Sequence, residues 1–541
     1  MKKHLTFLLS LFLLLNTPLP EIIGISFLNS ISAQKTTFDL LIRNGKVIDG
    51  SGNPWFRADI GIVGSKIAAI GRFDSTQAKR TIDAKGMIVS PGFIDVHTHA
   101  EDGIKRVPTA DNFILDGVTS IITGNCGGSE DNLSAFFKKI MEKGVSVNIG
   151  SFIGHNNVRR QVMKRAMRDP TPKEQAEMER LVEKAMKQGA VGLSTGLIYI
   201  PGTYSKTPEV VGLAKVAAKY GGIYTSHIRN EGEKVEDAIA EAITIGREAQ
   251  IPVEISHFKI SFKPLWGKST ETVAMVEKAR QEGIDVNIDQ YPYTASSTNM
   301  GTMLPSWALA DGDSAMRARF EDPSVHAKIK AEMIESLTKD QRTNWDYAVV
   351  ARCVADPKMD GKTISVINIL RGRQPTAADE VETVFELLAK GGGQMIYHKM
   401  SEEDVDYILR YPNTMIASDA GVQVFGFGVT HPRAYGTNAR VLSRYVRERK
   451  TLTLEDAIRR MTSLPAQRFR IDNRGLLRVG YAADILVFDE KMVSDKATYE
   501  RPHAYSVGFK WVVVNGDITV ENGQHNESKS GQIIFGKGFS E

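Results

Sequence analysis

Two histidines separated by one residue are the first side chains in the sequence whose types and spacing could do chemistry. His97 and His99 follow the apolar run 91–96. Alternate side chains of an extended strand point to the same face, so both imidazoles can reach one cation. This motif predicts a metal site at the carboxyl end of a strand.

More candidate ligands end later apolar runs in the same way. They are Cys126, His227, His257 and Asp419. Zinc accepts mixed sulfur and nitrogen ligands, and a carboxylate beside the attacking water can take its proton and pass it to the leaving group. Each residue also has a plainer interpretation: a buried structural cysteine, a hydrogen-bonded histidine at a strand end, or a helix N-cap for the aspartate. Their recurrence favours one metal centre.

The other histidines near predicted elements are not expected to bind this metal. We interpret His155 and His398 as residues outside the site. His326 and His503 lie in polar sequence and are expected to face solvent.

The order of the predicted elements explains how such distant residues could meet. Amphipathic stretches separate most of the short apolar runs at 118–125, 146–153, 190–195, 222–226, 252–256, 284–289 and 414–418. This alternation predicts a parallel sheet, and we predict an α/β fold with a (β/α)₈ TIM-type barrel, whose catalytic groups gather at strand carboxyl ends. A run at 393–398 would make nine strands with the first. Residues 298–376 break the rhythm and indicate an insertion over the barrel mouth.

The two ends of the chain share a different texture. Residues 35–90 and 470–535 contain short apolar runs that end in glycine turns, which is typical of small β domains. Either half alone has few strands to cover its hydrophobic face. We therefore predict one small β-sandwich domain built from both termini, with the metal-dependent barrel, 91–465, between them.

Composition limits the class of protein. The 541 residues carry a net charge of +4, with 42% hydrophobic and 24% charged residues, which is ordinary for a soluble enzyme. No basic stripe interleaves with aromatic residues, so nucleic acid is not an expected partner. The basic cluster 159–165 is interpreted as a solvated helix face. The two cysteines, Cys126 and Cys353, are expected to be unpaired.

The first residues are typical of a secretory signal. Two lysines precede the apolar run 5–15, and small residues at 30–33 offer a cleavage region. The run is short for a membrane span, so we expect residues 1–34 to be a signal segment. The protein is then expected to be exported, either periplasmic or secreted, and to have no stable membrane association after cleavage. A second apolar patch at 22–31 leaves an uncleaved anchor as the alternative.

Taken together, the motifs resemble the amidohydrolase superfamily, and most closely its D-aminoacylase (N-acyl-D-amino-acid deacylase) family. The superfamily resemblance rests on segment 92–99, the two single histidines and the late aspartate. The family resemblance rests on GNCG at 124–127, GLSTGL at 192–197, SHFK at 256–259, YPY at 291–293, SDAG at 418–421 and HPRAYGT at 431–437. It covers nearly everything after the signal segment.

The resemblance implies zinc-dependent hydrolysis of N-acyl-D-amino acids to a carboxylate and a free D-amino acid. It implies Asp419 as the catalytic acid and base, and the metal ligands His97, His99, Cys126, His227 and His257. Cys126, His227 and His257 would form a tight site, and the His97–His99 pair with the aspartate a weaker second one. Many members of the superfamily bridge two metals with a carboxylated lysine on the fourth strand, but segment 189–197 contains no lysine. A bridging thiolate from Cys126 is the consistent substitute. Whether the site binds one ion or two stays open.

The resemblance also implies a substrate-binding clamp for the α-carboxylate, formed by Lys259, Arg433 and Tyr199. Arginine can hold a carboxylate by two parallel hydrogen bonds. The alternative is that the two cations are solubility charges on the barrel rim. The sequence departs from the family pattern at Ala420 and Asn438, where glycine and an aromatic residue are more usual. Both departures lie near the predicted site and bear on side-chain preference.

Two other functions are compatible with these residues. One is another amidohydrolase activity, such as a D-amino-acid-containing dipeptidase or a cyclic-amide hydrolase, which would use the same metal chemistry with a different pocket. The other is a non-enzymatic binding paralogue, against which the complete set of ligands and Asp419 argues.

Overall fold

The computed structural model describes residues 37–353 and 355–540, so the predicted signal segment lies outside the described residues. Parallel strands form a barrel at the centre of the described chain. In chain order, its eight described strands are Phe93–Asp95, Val118–Thr123, Asn148–Ser151 continued by Ile153–Gly154, Gly192–Gly196, Ile223–His227, Val253–Ile255, Val286–Gln290 and Thr414–Ile416. The predicted (β/α)₈ barrel is confirmed.

The barrel closes where its last strand returns to its first. The Asp419 N–H donates to the His97 carbonyl at 2.9 Å, and the His99 N–H donates to the Ala420 carbonyl at 2.9 Å. The Ser418 N–H donates to the Asp95 carboxylate at 3.1 Å. These bonds bring two segments with predicted site residues together, although more than 300 residues separate them.

Helices surround the strands and bury apolar faces against them, as in Val235–Ala249, where Ile239 and Ala242 are buried. The α-helices of this layer are Gly103–Arg106, Asp111–Ile114, Leu133–Lys143, His155–Met163, Pro172–Lys187, Thr207–Lys219, Val235–Ala249, Ser269–Gln281, Glu402–Arg410, Arg433–Arg440, Leu454–Met461 and Ser463–Arg468, with a π-helix at Val441–Glu448. Short 3₁₀ turns lie at Ser75–Gln77, Gly202–Tyr204, Lys263–Leu265, Met300–Met303, Ser306–Leu309 and Pro357–Met359.

The β domain joins both ends of the described chain, as predicted. Its strands are Phe38–Val47, Phe56–Val63, Lys66–Gly71, Ala78–Asp83, Ile88–Pro91, Ile485–Phe488, Phe509–Val514, Asp517–Glu521 and Gln524–His525. Ile88–Pro91 is the junction, because it pairs with Phe38–Val47 on one side and with Ile485–Phe488 on the other. Buried aliphatic residues from both halves, such as Ile62 and Val513, form one core.

An inserted unit lies between the seventh and eighth barrel strands. Its antiparallel strands are Ser296–Asn299, Ala348–Cys353 and Gly393–Tyr397, and its helices are Asp313–Glu321, Pro323–Lys339, Ile364–Leu370 and Ala377–Ala389. The run at 393–398 is therefore not a ninth barrel strand, because its partners lie in this sheet. The insertion also continues beyond the limit of 376 that the sequence indicates.

The interpretation of the basic cluster 159–165 as a solvated helix face was wrong. The helix His155–Met163 buries Arg159 completely, because the Arg159 guanidinium pairs with the buried Glu209 carboxylate at 3.1 Å. The basic cluster is therefore not a uniformly solvated face. Both cysteines are free, as expected. Among the described helices, none combines the length and apolar character needed to cross a membrane.

Candidate metal centre

The candidate ligands lie at the carboxyl ends of five barrel strands. His227 ends its strand, and His97 and His257 each lie two residues beyond theirs. Cys126 and Asp419 each follow three residues after a strand end. Because parallel strands present their carboxyl ends to one rim, these side chains converge at the barrel mouth.

The Cys126 sulfur lies among three imidazole nitrogens. Its Sγ is 3.3 Å from His97 Nε2, 3.6 Å from His257 Nε2 and 3.7 Å from His227 Nδ1. Ligand atoms of His97, Cys126, His257 and Asp419 all lie within 4.8 Å of one another. Sulfur and nitrogen ligands at the usual zinc distances stand about 3.4–3.6 Å apart in a tetrahedron, so this donor set fits zinc.

The backbone holds these residues in conformations that L-amino acids rarely adopt. Cys126, His257 and Asp419 have φ angles of 53°, 36° and 50°. Left-handed backbone at non-glycine residues persists only where surrounding contacts hold it, and it clusters at functional sites. The strained turns direct the side chains inward from the strand ends.

Close packing fixes the turn that contains Cys126. Gly127 has a φ of +75°, and a Cβ there would lie 2.3 Å from Asn156 Oδ1 and 2.8 Å from the Gly196 backbone nitrogen. The Gly127 N–H donates to Ser194 Oγ at 3.1 Å. The turn thus rests directly on the start of the helix His155–Met163 and on the fourth strand, where only glycine fits.

Charge inside the cluster prepares the sulfur for a cation. Burial works to raise the pKa of the Cys126 thiol, but the charge of His97 and hydrogen bonds with His227 and His257 bring it well below its usual value. Burial works to lower the pKa of His97, whereas Cys126 and Asp289 raise it well above the usual range. The thiolate is the form of cysteine that binds metals, so the electrostatics agree with the donor chemistry.

Asp419 faces the histidine pair with one oxygen and an arginine with the other. Its Oδ1 is 3.1 Å from His99 Nε2 and 3.5 Å from His97 Nε2, while Oδ2 lies 2.8 Å from Arg433 Nη1. Burial works to raise the pKa of the Asp419 carboxyl, but Arg433 and the histidines hold it well below its usual value. The carboxylate is therefore ionised, which is the form that a proton acceptor needs.

The residues of the predicted clamp lie around this centre, and they differ in the partners they already have within the protein. Tyr199 places its hydroxyl 3.4 Å from His227 Nδ1 and 2.9 Å from Thr298 Oγ1. The buried Lys259 ammonium lies 2.9 Å from His257 Nδ1 and forms an ion pair with Glu231. Much of its charge is thus balanced within the protein, whereas Arg433 lines the open cavity.

Two acids that bear on the metal site, the buried Asp289 and the half-buried Glu231, were not predicted. Asp289 accepts the His257 N–H at 2.8 Å and lies 3.2 Å from His97 Nδ1, so it orients two predicted ligands. Glu231 lies 2.9 Å from His257 Nδ1 and 3.7 Å from His227 Nε2. Asp289 ends the apolar run 284–289, the same position that drew attention to the histidines, whereas Glu231 lies in a loop without such a signal.

The four histidines that the sequence places outside the site lie in other environments. His155 is buried against Glu209 at 2.8 Å, and the His398 ring packs on Tyr499. The expectation that His326 and His503 face solvent was wrong, because both are half-buried. His326 is 3.0 Å from Glu382, and His503 Nε2 donates to the Gly428 carbonyl at 2.9 Å. Their long-range partners cannot be read from the polar sequence around them.

A cavity of about 590 Å³ opens in front of the cluster. His99, Cys126, Asp419 and Arg433 form its floor, and the inserted sheet and residues 420–430 form its wall. Its volume is in the range of small-molecule sites. The arrangement can therefore hold an organic substrate against a metal and an ionised carboxylate.

Comparison with known proteins defines the family. Residues 80–520 match the Amidohydrolase family. An N-acyl-D-glutamate deacylase from Alcaligenes xylosoxydans xylosoxydans is 36% identical over 500 residues, which cover 88% of this chain and 93% of that protein. The chain therefore belongs to the amidohydrolase family.

Two further relatives extend over nearly the whole chain. A D-aminoacylase from Alcaligenes xylosoxydans xylosoxydans is 34% identical, covering 92% of this chain and 97% of that protein. A crystal structure of the N-acyl-D-glutamate deacylase from Bordetella bronchiseptica, complexed with zinc and a phosphonate mimic of the tetrahedral intermediate, superposes with a TM-score of 0.78. It is 32% identical and covers 92% of this chain and 100% of that one. The predicted D-aminoacylase resemblance is confirmed.

Proposed function

We propose that the protein is a zinc-dependent amidohydrolase that cleaves the amide bond of N-acyl-D-amino acids to a carboxylate and a free D-amino acid. The observation that carries this proposal is the Cys126 sulfur placed among His97, His227 and His257, with Asp419 beside them, in one cavity. The similarity to deacylases of this substrate class over most of the chain supports it.

The residues His97, His99, Cys126, His227 and His257 would hold the metal. Cys126 lies between the two predicted ligand sets, which is the position a bridging thiolate needs when two ions bind. Zinc at this centre would supply Lewis-acid polarisation of the amide carbonyl and a lowered pKa for the attacking water.

Asp419 moves the proton in this reaction. Its carboxylate takes the proton of the attacking water and then gives it to the amine nitrogen as the carbon–nitrogen bond breaks. Without that proton the amine is a very poor leaving group. Arg433, at 2.8 Å from the second oxygen, keeps the carboxylate ionised and directs the other oxygen to the histidine side.

Arg433, Lys259 and Tyr199 bind the α-carboxylate of the substrate. The guanidinium of Arg433 lies 4.5 Å from the centre of the Tyr291 ring and keeps in-plane N–H groups for a second partner. Tyr199 also lines the cavity and offers its hydroxyl there. Both cations already have an acidic partner, Asp419 for Arg433 and Glu231 for Lys259. Arg433 lines the cavity and Lys259 does not, so Arg433 supplies most of the attraction.

Export of the protein is a further part of the proposal. Residues 1–34 act as a cleaved signal segment, and the mature enzyme works in the periplasm or outside the cell. This rests on the lysines and the apolar run 5–15 in the sequence.

The test combines metal analysis with a panel of substrates. The purified protein should contain zinc and hydrolyse N-acetyl-D-amino acids rather than their L enantiomers, D-configured dipeptides or hydantoins. The variant Asp419→Asn should keep its zinc and lose about 10²–10⁴-fold in kcat. Asp102→Asn, which changes an exposed acid at the same cavity, is the matched control. Turnover confined to dipeptides or hydantoins, or an active Asp419→Asn variant, would contradict the proposal.

A further inference from the structure

The cavity in front of Asp419 contains positive charge that the proposed reaction does not use. Three arginines line it: Arg106, Arg352 and Arg433. Arg433 pairs with Asp419, and the other lining acid, Asp102, lies 3.6 Å from Lys105. Among the described residues, neither Arg106 nor Arg352 has a carboxylate within ion-pair distance. The cavity therefore offers two guanidiniums with uncompensated charge.

An irregularity in the inserted sheet positions Arg352. The strand Ala348–Cys353 changes register against Gly393–Tyr397 between Val350 and Arg352. Such a β-bulge re-aims the following side chain, and bulges are common next to active sites. Val350 and Ala351 are consecutive buried residues, and Arg352 is exposed at the cavity.

The loop that follows Asp419 closes against this bulge. The Ala351 carbonyl accepts a hydrogen bond from the Val429 N–H at 3.0 Å. The Arg352 guanidinium lies over the Phe427 ring, 4.7 Å from its centre. Stacking uses the face of a guanidinium and leaves its in-plane N–H groups free, which is the geometry that binds a carboxylate. Arg106 has no comparable ring contact in the part of the chain that the structure describes.

The space around Arg352 also exceeds what an α-carboxylate and an amide require. Arg352 lines a second cavity of about 1250 Å³, together with Tyr199, Asn299 and Gln394, which line both cavities. A substituent of the substrate that points away from the reacting amide can therefore extend past Arg352. The guanidinium stands beside this route.

We propose that Arg352 is a specificity-determining residue that binds a second carboxylate of the substrate, carried by the D-amino-acid side chain or by the acyl group. This inference rests on the proposed N-acyl-D-amino-acid deacylase function. A second negative charge on the substrate compensates the unpaired guanidinium at the cavity wall. Substrates without that charge leave Arg352 stacked on Phe427 and unpaired.

The experiment compares pairs of substrates that differ in one charge. N-acetyl-D-glutamate against N-acetyl-D-glutamine tests the side chain, and N-succinyl-D-leucine against N-butanoyl-D-leucine tests the acyl group. The zinc-loaded wild-type enzyme should favour the dianionic member of one pair. Arg352→Met should lower that ratio of kcat/KM values about 10- to 100-fold, the usual effect of losing a hydrogen bond to a charged group. Arg478→Met is the matched control, because Arg478 also lies over a ring, that of Tyr481, but outside either cavity.

Each outcome has one meaning. A lower ratio in the first pair assigns the carboxylate to the side chain, and a lower ratio in the second pair assigns it to the acyl group. If both ratios are the same in wild type and Arg352→Met, the inference is wrong and Arg352 serves only to pack against Phe427. If the wild type hydrolyses neither these four compounds nor any N-acetyl-D-amino acid of the panel above, the proposed function fails. Calorimetric binding of the glutamate and glutamine derivatives to both proteins then tests the charge preference separately.

Discussion

The rim of the barrel and the wall of the cavity face the same space but differ in how their polar residues are held. At the rim, His97, His257 and Asp419 each contact two or more buried polar groups. At the wall, Arg106 and Arg352 have no ion-pair partner among the described residues. The rim is therefore organised before any ligand binds, whereas the wall has interactions left to make.

This difference separates chemistry from selectivity. Metal binding and proton transfer need fixed distances, which strand ends supply, and three rim residues hold left-handed backbone to achieve them. Selection among substrates depends on groups that a substrate itself completes. Changes at the rim should accordingly reduce turnover of every substrate, and changes at the wall should alter preference.

The largest effect is expected where the rim packs on the barrel. In Gly127→Ala, a Cβ would clash with Asn156 and with the fourth strand, and the left-handed φ adds strain. We expect a loss of about 2 kcal/mol or more in the free energy of unfolding and at least about 100-fold in kcat/KM, because Cys126 is displaced. Chemical denaturation and kinetics measure these losses.

The neighbouring glycine is the control for that variant. In Gly128→Ala, the new Cβ would have one heavy atom of the described residues outside its chain neighbours within 4 Å, the Asn125 carbonyl oxygen at 3.8 Å. Near-wild-type stability and activity are expected there. Equal damage in both variants would show that the turn is merely sensitive to side chains, and the rim would not be the rigid region we describe.

Arg433 belongs to the rim and also lines the cavity. Arg433→Met should lower kcat/KM about 10- to 150-fold, which corresponds to about 1.5–3 kcal/mol, because a charge-assisted bond to the substrate is lost. The sequence predicts an effect mainly on binding, but the contact with Asp419 means that kcat falls as well. Steady-state kinetics separates kcat from KM. Arg440→Met is the control, because Arg440 pairs with a different acid, Asp495. Unchanged kinetics would remove Arg433 from the site.

Asp289 supports the rim from below. Asp289→Asn should weaken zinc binding about 10- to 100-fold, because Asp289 orients the ring of His97 and holds the backbone N–H of His257. Competition with a chelating dye measures the Kd. Asp285→Asn alters an acid on the same segment that pairs with Arg468, and it should leave zinc affinity unchanged. Identical zinc affinity in the wild type and Asp289→Asn would mean that the ligands need no such support.

The smallest effect is expected inside the inserted unit, far from the metal. Burial works to lower the pKa of His326, but the hydrogen bond with Glu382 raises it above its usual value. The stabilisation is therefore complete below the unfolded pKa of about 6.5 and is lost as pH rises through the higher folded value. His326→Gln should cost about 0.2–1 kcal/mol at pH 5.5 and less at pH 9 by chemical denaturation. An equal cost at both pH values would exclude this ion pair.

The sequence predicts the rim better than the wall. His97, Cys126, His227, His257 and Asp419 are recognisable because each ends or follows an apolar run, and strand alternation specifies where such ends meet. Asp289 has the same position, but an acid after a strand is also a common turn residue, so its role needed the contact with His97. The signal for a ligand therefore depends on residue type as well as on position.

Long-range pairing explains what the sequence does not reveal. The strand Gly393–Tyr397 has the apolar pattern of a barrel strand, and only its partners, about 50 and 100 residues earlier, place it in the insertion. In the sequence Arg159 has the character of a solvated residue, and only its ion pair with the distant Glu209 explains its burial. The direction of Arg352 depends on a bulge, which leaves no local signature in the residues around it.

X-ray absorption at the zinc edge tests the central claim, that the Cys126 sulfur and the rim histidines hold the metal. The zinc-loaded wild type should show a sulfur shell at about 2.3 Å besides nitrogen or oxygen at about 2.0–2.1 Å, and Cys126→Ser should lose only the sulfur shell. A wild-type spectrum without sulfur, or one that is unchanged in Cys126→Ser, would contradict the account.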